Sequence, residues 1–297
     1  MRLANIYIDG ITKLCVKAKS GYVDIATALS NPSLSELGAF LASGKDTQAR
    51  AAELADEQGT PYAQSDFAPL VGSRSRILCI GLNYSAHAFQ WGNREAPKWP
   101  EVFIRHLNTV VGPYANLVKP ALSDKFNFEG ELGLVLGKGG RFIKASKAAE
   151  SVAGLTVIND ATARDWQRAS SQWTCGKNFD STFPIGPELV TLDEVDPTNL
   201  SITTTLNGQI VQSANTSAMI HNVWEIVEFL SGICTLLPGD IIATGTPAYT
   251  FEDESLSFLK DGDVVSVEIE NIGKIINKVR QGENPGDNWP WIPSLNH

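Results

Sequence analysis

The sequence predicts an α+β fold built on a mixed, rolled β-sheet, a β-roll or β-sandwich carrying a small N-terminal α/β appendage. Three observations predict it. Strand-like apolar runs dominate residues 77–280, and several double back through turn residues as hairpins. Few helical patterns stand between these strands, so the crossover helices of a doubly wound sheet are missing. Apolar residues make up 43% and charged residues 19% of 297, enough for a sizeable core and too apolar for a disordered chain.

Taken in order, Ile6 to Ile8, Asp9-Gly10 and Ile11 to Val16 read as a hairpin, because both turn residues tolerate positive φ. Residues 33–57 are Ala- and Leu-rich and read as helices. The polar, Pro-bearing stretch 58–70 places a boundary near 70, dividing a small N-terminal domain (1–70) from a main domain (71–282) with a polar tail (283–297). Ile77 to Leu82 reads as a buried strand, and 83–120 as an irregular segment suited to a lid. Glu129 to Leu136 is a strand, and Ser146 caps a short helix ending at Gly154. Leu155 to Ile158 is a strand leading through Asn159-Asp160 into a helix over about 161–169. Leu200 to Thr216 is a hairpin about Asn207-Gly208. Residues 221–232 form a helix with Val223, Ile226, Val227 and Leu230 on one face. Asp240 to Ala243 is a strand, and Val264 to Val279 a hairpin turning near Asn271 to Gly273.

The formal charge is −9, from 24 basic and 33 acidic side chains, which argues against nucleic acid and anionic membranes as partners. No run approaches the roughly 18 apolar residues of a membrane helix. Cys15, Cys79, Cys175 and Cys234 form no CxxC pair and read as buried free thiols, so a reducing cytoplasm is the expected location. The N-terminus reaches Asp9 without an apolar signal core. There is no GxSxG, Walker A or GxGxxG, and the 4 histidines show no HxxH or HExxH spacing.

The sharpest local feature is Glu129-Gly130-Glu131. On a strand, positions i and i+2 share a face, so two carboxylates sit side by side. Like charges that close repel, and one takes up a proton unless a cation lies between them. Either the pair is a solvated strand edge, or it holds a hard cation such as Mg²⁺; the apolar flank Leu132, Leu134, Val135, Leu136 makes the solvated edge less comfortable. Asp160 is either a helix N-cap or a third oxygen ligand, and no spacing ties it to Glu129. His87 sits in the irregular region, as a lid residue or a structural one. Lys177, beside Gly176, is either a surface residue or one that reaches a carboxylate.

At these residues the chain resembles the fumarylacetoacetate hydrolase superfamily. The matching segments are IGLNYSAHA (80–88), FEGELGLVLGKGGR (128–141), VAGLTVINDATARDWQ (152–167), GKNFD (176–180), GP (186–187), LNGQIVQSANTSAMI (206–220) and LLPGDIIATGTP (236–247), in the family's order. The resemblance implies a fumarylacetoacetate hydrolase-type fold, a homodimer, and Mg²⁺ (or Mn²⁺ or Ca²⁺) held by Glu129, Glu131 and Asp160. It places Arg105, Arg164, Gln167, Lys177 and Thr246 at positions that bind the oxygens of a small carboxylate substrate, with His87 as the lid histidine. The implied chemistry is stabilisation of an enolate of a 2-oxo acid, with Lys177 adding positive charge at the developing oxyanion.

Three departures stand out. The family's H-x-x-E reads His87-Ala88-Phe89-Gln90, and Gln90 can orient an imidazole by hydrogen bond but cannot stabilise its cation by charge. The frequent D-x-E-x-E begins at Asn127, and in the loop TGTPAYTF the usual glycines after Pro247 are replaced by Tyr249 and Thr250. The first expectation is a metal-dependent hydrolase or lyase cleaving a C–C bond of a 2,4-dioxo or β-oxo acid, with His87, Gln90 and Lys177 catalytic. The alternative is an isomerase or tautomerase of a 2-hydroxydienoate or 2-oxo acid, which Gln90 favours. A catalytically silent binding protein is the third reading.

Overall fold

Along Gly130–Leu136 every side chain is buried. Even positions Leu132, Leu134 and Leu136 pack in one apolar core, while Val135 packs in another on the opposite face. A strand buried on both faces must lie inside a sheet, and this one does. The computed structural model describes residues 1–92, 95–284 and 286; apart from Glu283, Asn284 and Gly286, the tail expected over 283–297 lies outside them.

The N-terminal strands β1 (Arg2–Ile8), β2 (Ile11–Ala18) and β3 (Gly21–Asp24) pair antiparallel, with Asp9 and Gly10 at positive φ in the expected turn. The helices α1 (Ile25–Ala28), α2 (Leu37–Ala42) and α3 (Lys45–Glu53) follow. Next come β4 (Ile77–Gly81), α4 (Ser85–Gln90), β5 (Glu101–Arg105), β6 (Val110–Val111), β7 (Leu117–Lys119), β8 (Phe126–Asn127) and β9 (Gly130–Leu136). Then follow β10 (Val152–Asn159), β11 (Thr162–Ala163), α5 (Arg164–Arg168), α6 (Thr174–Lys177) and β12 (Phe183–Thr191). The chain closes with β13 (Ser201–Leu206), β14 (Gln209–Asn215), α7 (Val223–Ile233), β15 (Ile241–Ala243), β16 (Val264–Ile269) and β17 (Gly273–Gln281).

Among the described residues the main sheet runs β3-β2-β1-β12-β10-β9-β15-β4-β5, with β6 beside β12. It is mixed: β15 and β4 are parallel, whereas β9 is antiparallel to both β10 and β15. A second sheet, β14-β13-β16-β17-β7, packs on one face through Ile202, Val267 and Ile275, beside the apolar side of α7. The N-terminal helices cover the other face with Leu37, Phe40 and Leu41 against Ile77, Val135 and Ile158. The fold is thus of the mixed α+β type the sequence predicts, with the N-terminal hairpin extending the main sheet through the β1–β12 pairing.

Several local expectations need correction. The helix capped by Ser146 is a 3₁₀ turn, Ala145–Glu150, and 152–154 belong to β10. The helix after Asp160 starts at Arg164, so Asp160 is not its N-cap. The irregular segment 83–120 contains α4 and β5. Cys175 is exposed and Cys234 half-buried, while Cys15 and Cys79 are buried. The sequence reading passed over β12, whose residues Phe183 to Val190 are buried at the centre of the sheet, because Pro184 and Pro187 speak against a central strand.

Leu134 is fully buried between β9 neighbours and α7. Leu134→Ala is expected to cost about 2–5 kcal/mol in urea unfolding, through lost burial and a residual cavity; an unchanged midpoint would overturn this placement.

Candidate functional site

The antiparallel pairing of β9 with β10 builds the site. Glu131 lies opposite Ile158, and Gly130 opposite Asn159. One step further, the Asp160 amide donates to the Glu129 carbonyl (2.8 Å). Glu129 and Glu131 share one face of their strand by the two-residue period, and Asp160 shares the face of Ile158 on its neighbour. Three carboxylates from two hairpinned segments therefore converge, one oxygen of each lying within 4.8 Å of the others. They are 4%, 1% and 0% exposed.

Cations hold this charge in place. Lys177 Nζ lies 2.5 Å from Glu129 Oε2 and 2.5 Å from Asp160 Oδ2. Arg164 pairs with the other oxygen of Glu129. Arg105 donates from Nε to Asp160 Oδ1 (2.5 Å). Burial alone would raise the Glu129 carboxyl, but Arg164 and Lys177 outweigh it and hold the group well below the usual range. Burial keeps Asp160 above its usual value despite Arg105 and Lys177. Glu131 is pushed furthest up, by burial and then by its neighbours Asp160 and Glu129. Its Oε2 accepts the Gly245 amide N–H (2.8 Å). Gly245 has φ +98°, and a Cβ there would come within 2.7 Å of Asn83 Cβ, so glycine alone delivers that N–H.

The donor set is three buried carboxylates, which fits a hard divalent cation of the Mg²⁺, Mn²⁺ or Ca²⁺ kind. Glu131 is the residue that most needs one: a cation beside it replaces the proton that burial otherwise favours.

A narrow cleft opens on the cluster, about 280 Å³ with its open mouth counted but with only about 10 Å³ of room for a water-sized sphere. Its polar wall is Glu129, Glu131, Arg164, Gln167, Lys177 and Thr246. Its apolar wall includes Trp91, Phe103 and Trp173, with His87. Lys177 reaches it from α6, which packs tightly on α5; a Cβ at Gly176 would meet the Gln167 amide nitrogen at 2.5 Å. Arg164 Nη1 donates to Gln167 Oε1 (2.9 Å), and Thr246 Oγ1 donates to the Gly130 carbonyl (2.9 Å). Lys177, for which a surface position was open, is buried at the centre of the ion-pair network.

Two expected site residues behave differently. Arg105 does not line the cavity: its donors go to Asp160, the Ala161 carbonyl and Thr182 Oγ1 (2.8 Å), so it backs the carboxylate cluster from behind. Gln90 does not hold the His87 ring. Its amide N–H groups go to the Tyr249 and Phe251 carbonyls (2.9 and 3.1 Å), and its oxygen accepts the Tyr249 amide (2.8 Å). The reason is that the 249–251 backbone offers both acceptors and a donor to the exposed end of α4. Among the described residues His87 Nδ1 is buried without a hydrogen-bond partner, and burial lowers the imidazole to about 4, leaving it neutral at pH 7. The aromatic wall was missed by the sequence reading, because Trp91, Phe103 and Trp173 come from three separate segments with no shared motif.

The fold and this site define an enzyme class in which a buried acidic cluster faces a small, cation-lined cavity. The chain belongs to the fumarylacetoacetate hydrolase family: residues 76–280 match the family model described as "Fumarylacetoacetate (FAA) hydrolase C-terminal", and the chain is an enzyme of that family. It is 44% identical over 224 residues to the Bos taurus "Oxaloacetate tautomerase FAHD2A, mitochondrial", covering 74% of this chain and 71% of the bovine protein. It resembles the structure of "a putative HpcE protein from Mycobacterium smegmatis" (31% identity, TM-score 0.85, 95% of this chain and 100% of that one). It also resembles the 2-hydroxyhepta-2,4-diene-1,7-dioate isomerase from Mycobacterium marinum (31% identity, TM-score 0.72, 96% and 100%). The bovine protein's name places it in mitochondria, which gives the cytoplasmic expectation no support. Among the described residues no helix is long and apolar enough to cross a membrane.

Because Glu131 carries a raised value, its carboxylate must give up a proton to bind a cation. Mg²⁺ binding, followed calorimetrically in buffers of differing ionisation enthalpy, is therefore expected to release protons and to tighten as pH rises. Glu131→Gln is expected to lose both the affinity and its pH dependence. Proton-neutral, pH-independent binding to the parent protein would contradict the assignment.

Proposed function

We propose that the chain is a tautomerase or isomerase of a short 2-oxo dicarboxylate of the oxaloacetate kind, interconverting its keto and enol forms without breaking a C–C bond. The observation that carries this is His87 Nδ1, buried without a partner among the described residues. Hydrolysis needs a base that drives water, and the acid that would orient and charge-stabilise such a base is replaced by Gln90, whose amide is tied to the 249–251 backbone. A neutral imidazole with no acid behind it suits a single proton transfer at carbon. The names of the bovine and mycobacterial relatives support the same choice over the C–C cleavage expected first.

In this reading Glu129, Glu131 and Asp160 would hold a divalent cation, whose chemistry when bound is Lewis-acid polarisation of the 2-oxo carbonyl. Arg164, Gln167 and Thr246 bind the substrate's carboxylate oxygens along the polar wall. In the keto-to-enol direction the C3–H bond breaks and the proton passes to His87. The electron pair forms the C2–C3 double bond, negative charge grows on the C2 oxygen, and that oxygen takes the proton back from His87, which completes the enol and returns the imidazole to its neutral form. Lys177 stands where that charge develops and stabilises it. Trp91, Phe103 and Trp173 keep bulk water from the carbon centre and so favour proton exchange over hydrolysis.

With Mg²⁺ present, the protein is expected to speed ketonisation of enol-oxaloacetate with no matching release of pyruvate, and a chelator is expected to abolish the effect. His87→Ala is expected to lose about 100-fold or more in kcat, with Mg²⁺ affinity unchanged. Pyruvate or another cleavage product appearing at the rate of tautomerisation would overturn the reading.

A further inference from the structure

The three departures from the family pattern, at positions 90, 127 and 249, are far apart in sequence but meet at one residue. Asn127 Nδ2 donates to Tyr249 Oη (2.8 Å), and Gln90 holds the Tyr249 main chain through two hydrogen bonds and the Phe251 carbonyl through a third. The phenol in turn donates to the Phe128 carbonyl (3.2 Å) and accepts from Arg164 Nη2 (3.1 Å). We propose that Gln90, Asn127 and Tyr249 form one positioning unit that fixes the Arg164 guanidinium for a short dicarboxylate substrate.

Arg164 carries the consequence. Its guanidinium is shared among Glu129, Gln167 and Tyr249, and it lies over the Trp91 ring at 4.6 Å. Its Nε is buried with no partner among the described residues, and the residue lines the cavity. Tyr249 does not line that cavity; it stands behind the arginine, edge-on to His87 and stacked on Phe251 at 5.2 Å. It acts through Arg164 and is a positioning residue. The three side chains are chemically matched. Asn127 supplies a donor, which leaves the phenol proton free for Phe128; a carboxylate at 127 would claim that proton. Gln90 supplies two N–H groups to two carbonyls; a carboxylate there would face both with acceptors only. The substrate length rests on the tautomerase reading; the positioning of Arg164 does not.

The test uses Tyr249→Phe, Gln90→Ala and the double variant in the full chain with Mg²⁺, and oxalate as a probe because it carries two adjacent carboxylates. Tyr249→Phe is expected to weaken oxalate binding and raise KM for enol-oxaloacetate by about tenfold, with kcat changed far less, since one hydrogen bond to a charged group is lost. Gln90→Ala is expected to move both values the same way by about threefold, and the double variant to be no worse than Tyr249→Phe alone, as expected for members of one network. Unchanged oxalate affinity in Tyr249→Phe, or effects that simply multiply, would overturn the unit. If Tyr249→Phe does not fold, exposed Gln90 decides: Gln90→Ala with unchanged oxalate affinity and KM overturns it. Oxalate bound by the parent protein, weakened tenfold by Tyr249→Phe, without turnover of enol-oxaloacetate, supports the unit and overturns the tautomerase reading.

Discussion

Three carboxylates buried side by side are the constraint on which the rest of the structure turns. Glu129, Glu131 and Asp160 cannot be there without compensation, because a buried ion with no partner costs several kcal/mol. The chain answers with Lys177 between two of them, Arg164 on Glu129 and Arg105 on Asp160. Each cation comes from a different element: α6, α5 and the end of β5. Those elements are held by the sheet register and by close packing of α6 on α5, so the electrostatic balance and the topology are the same fact seen twice. Glu131 is the exception. It has a backbone N–H and no ion pair among the described residues, and it is the carboxylate that a bound cation would satisfy.

The legible part of the site was the part written in local periodicity. Glu129 and Glu131 share a face because a strand alternates, and that needs no tertiary knowledge. Asp160 was not tied to them by spacing, because its neighbour is set by the β9–β10 pairing, a contact across some thirty residues. Its place after an apolar strand favoured an N-cap, yet β11 intervenes before the helix begins and frees the side chain for Arg105 and Lys177. Family resemblance supplied the link that local chemistry lacked. In the fold, the Asp9-Gly10 and Asn207-Gly208 hairpins were readable from turn chemistry, whereas β12 was hidden by prolines that tertiary context tolerates.

Gln90 shows where residue-by-residue transfer stops. The pattern places it three residues after His87, on the same short helix, and a hydrogen bond to the imidazole is the natural expectation. The structure gives its amide a better set of partners in the 249–251 backbone, two acceptors and one donor in matching geometry. A substitution within a motif thus changed partners, and its meaning lies in a loop some 160 residues away. Arg105 is a parallel case: a cation expected at the substrate is spent on holding a carboxylate and two oxygens of the 161–182 region.

Charge also bears on what the cavity will hold. The three cations offset the three carboxylates, so the protein side of the site is near neutral when all are ionised. A divalent cation bound there adds two positive charges in a space closed by Trp91, Phe103 and Trp173, where water screens them poorly. A neutral or singly charged ligand would leave part of that charge uncompensated. A compact dianion would compensate it fully. With a cation bound, charge balance alone therefore favours a compact anion, independently of any relative's name.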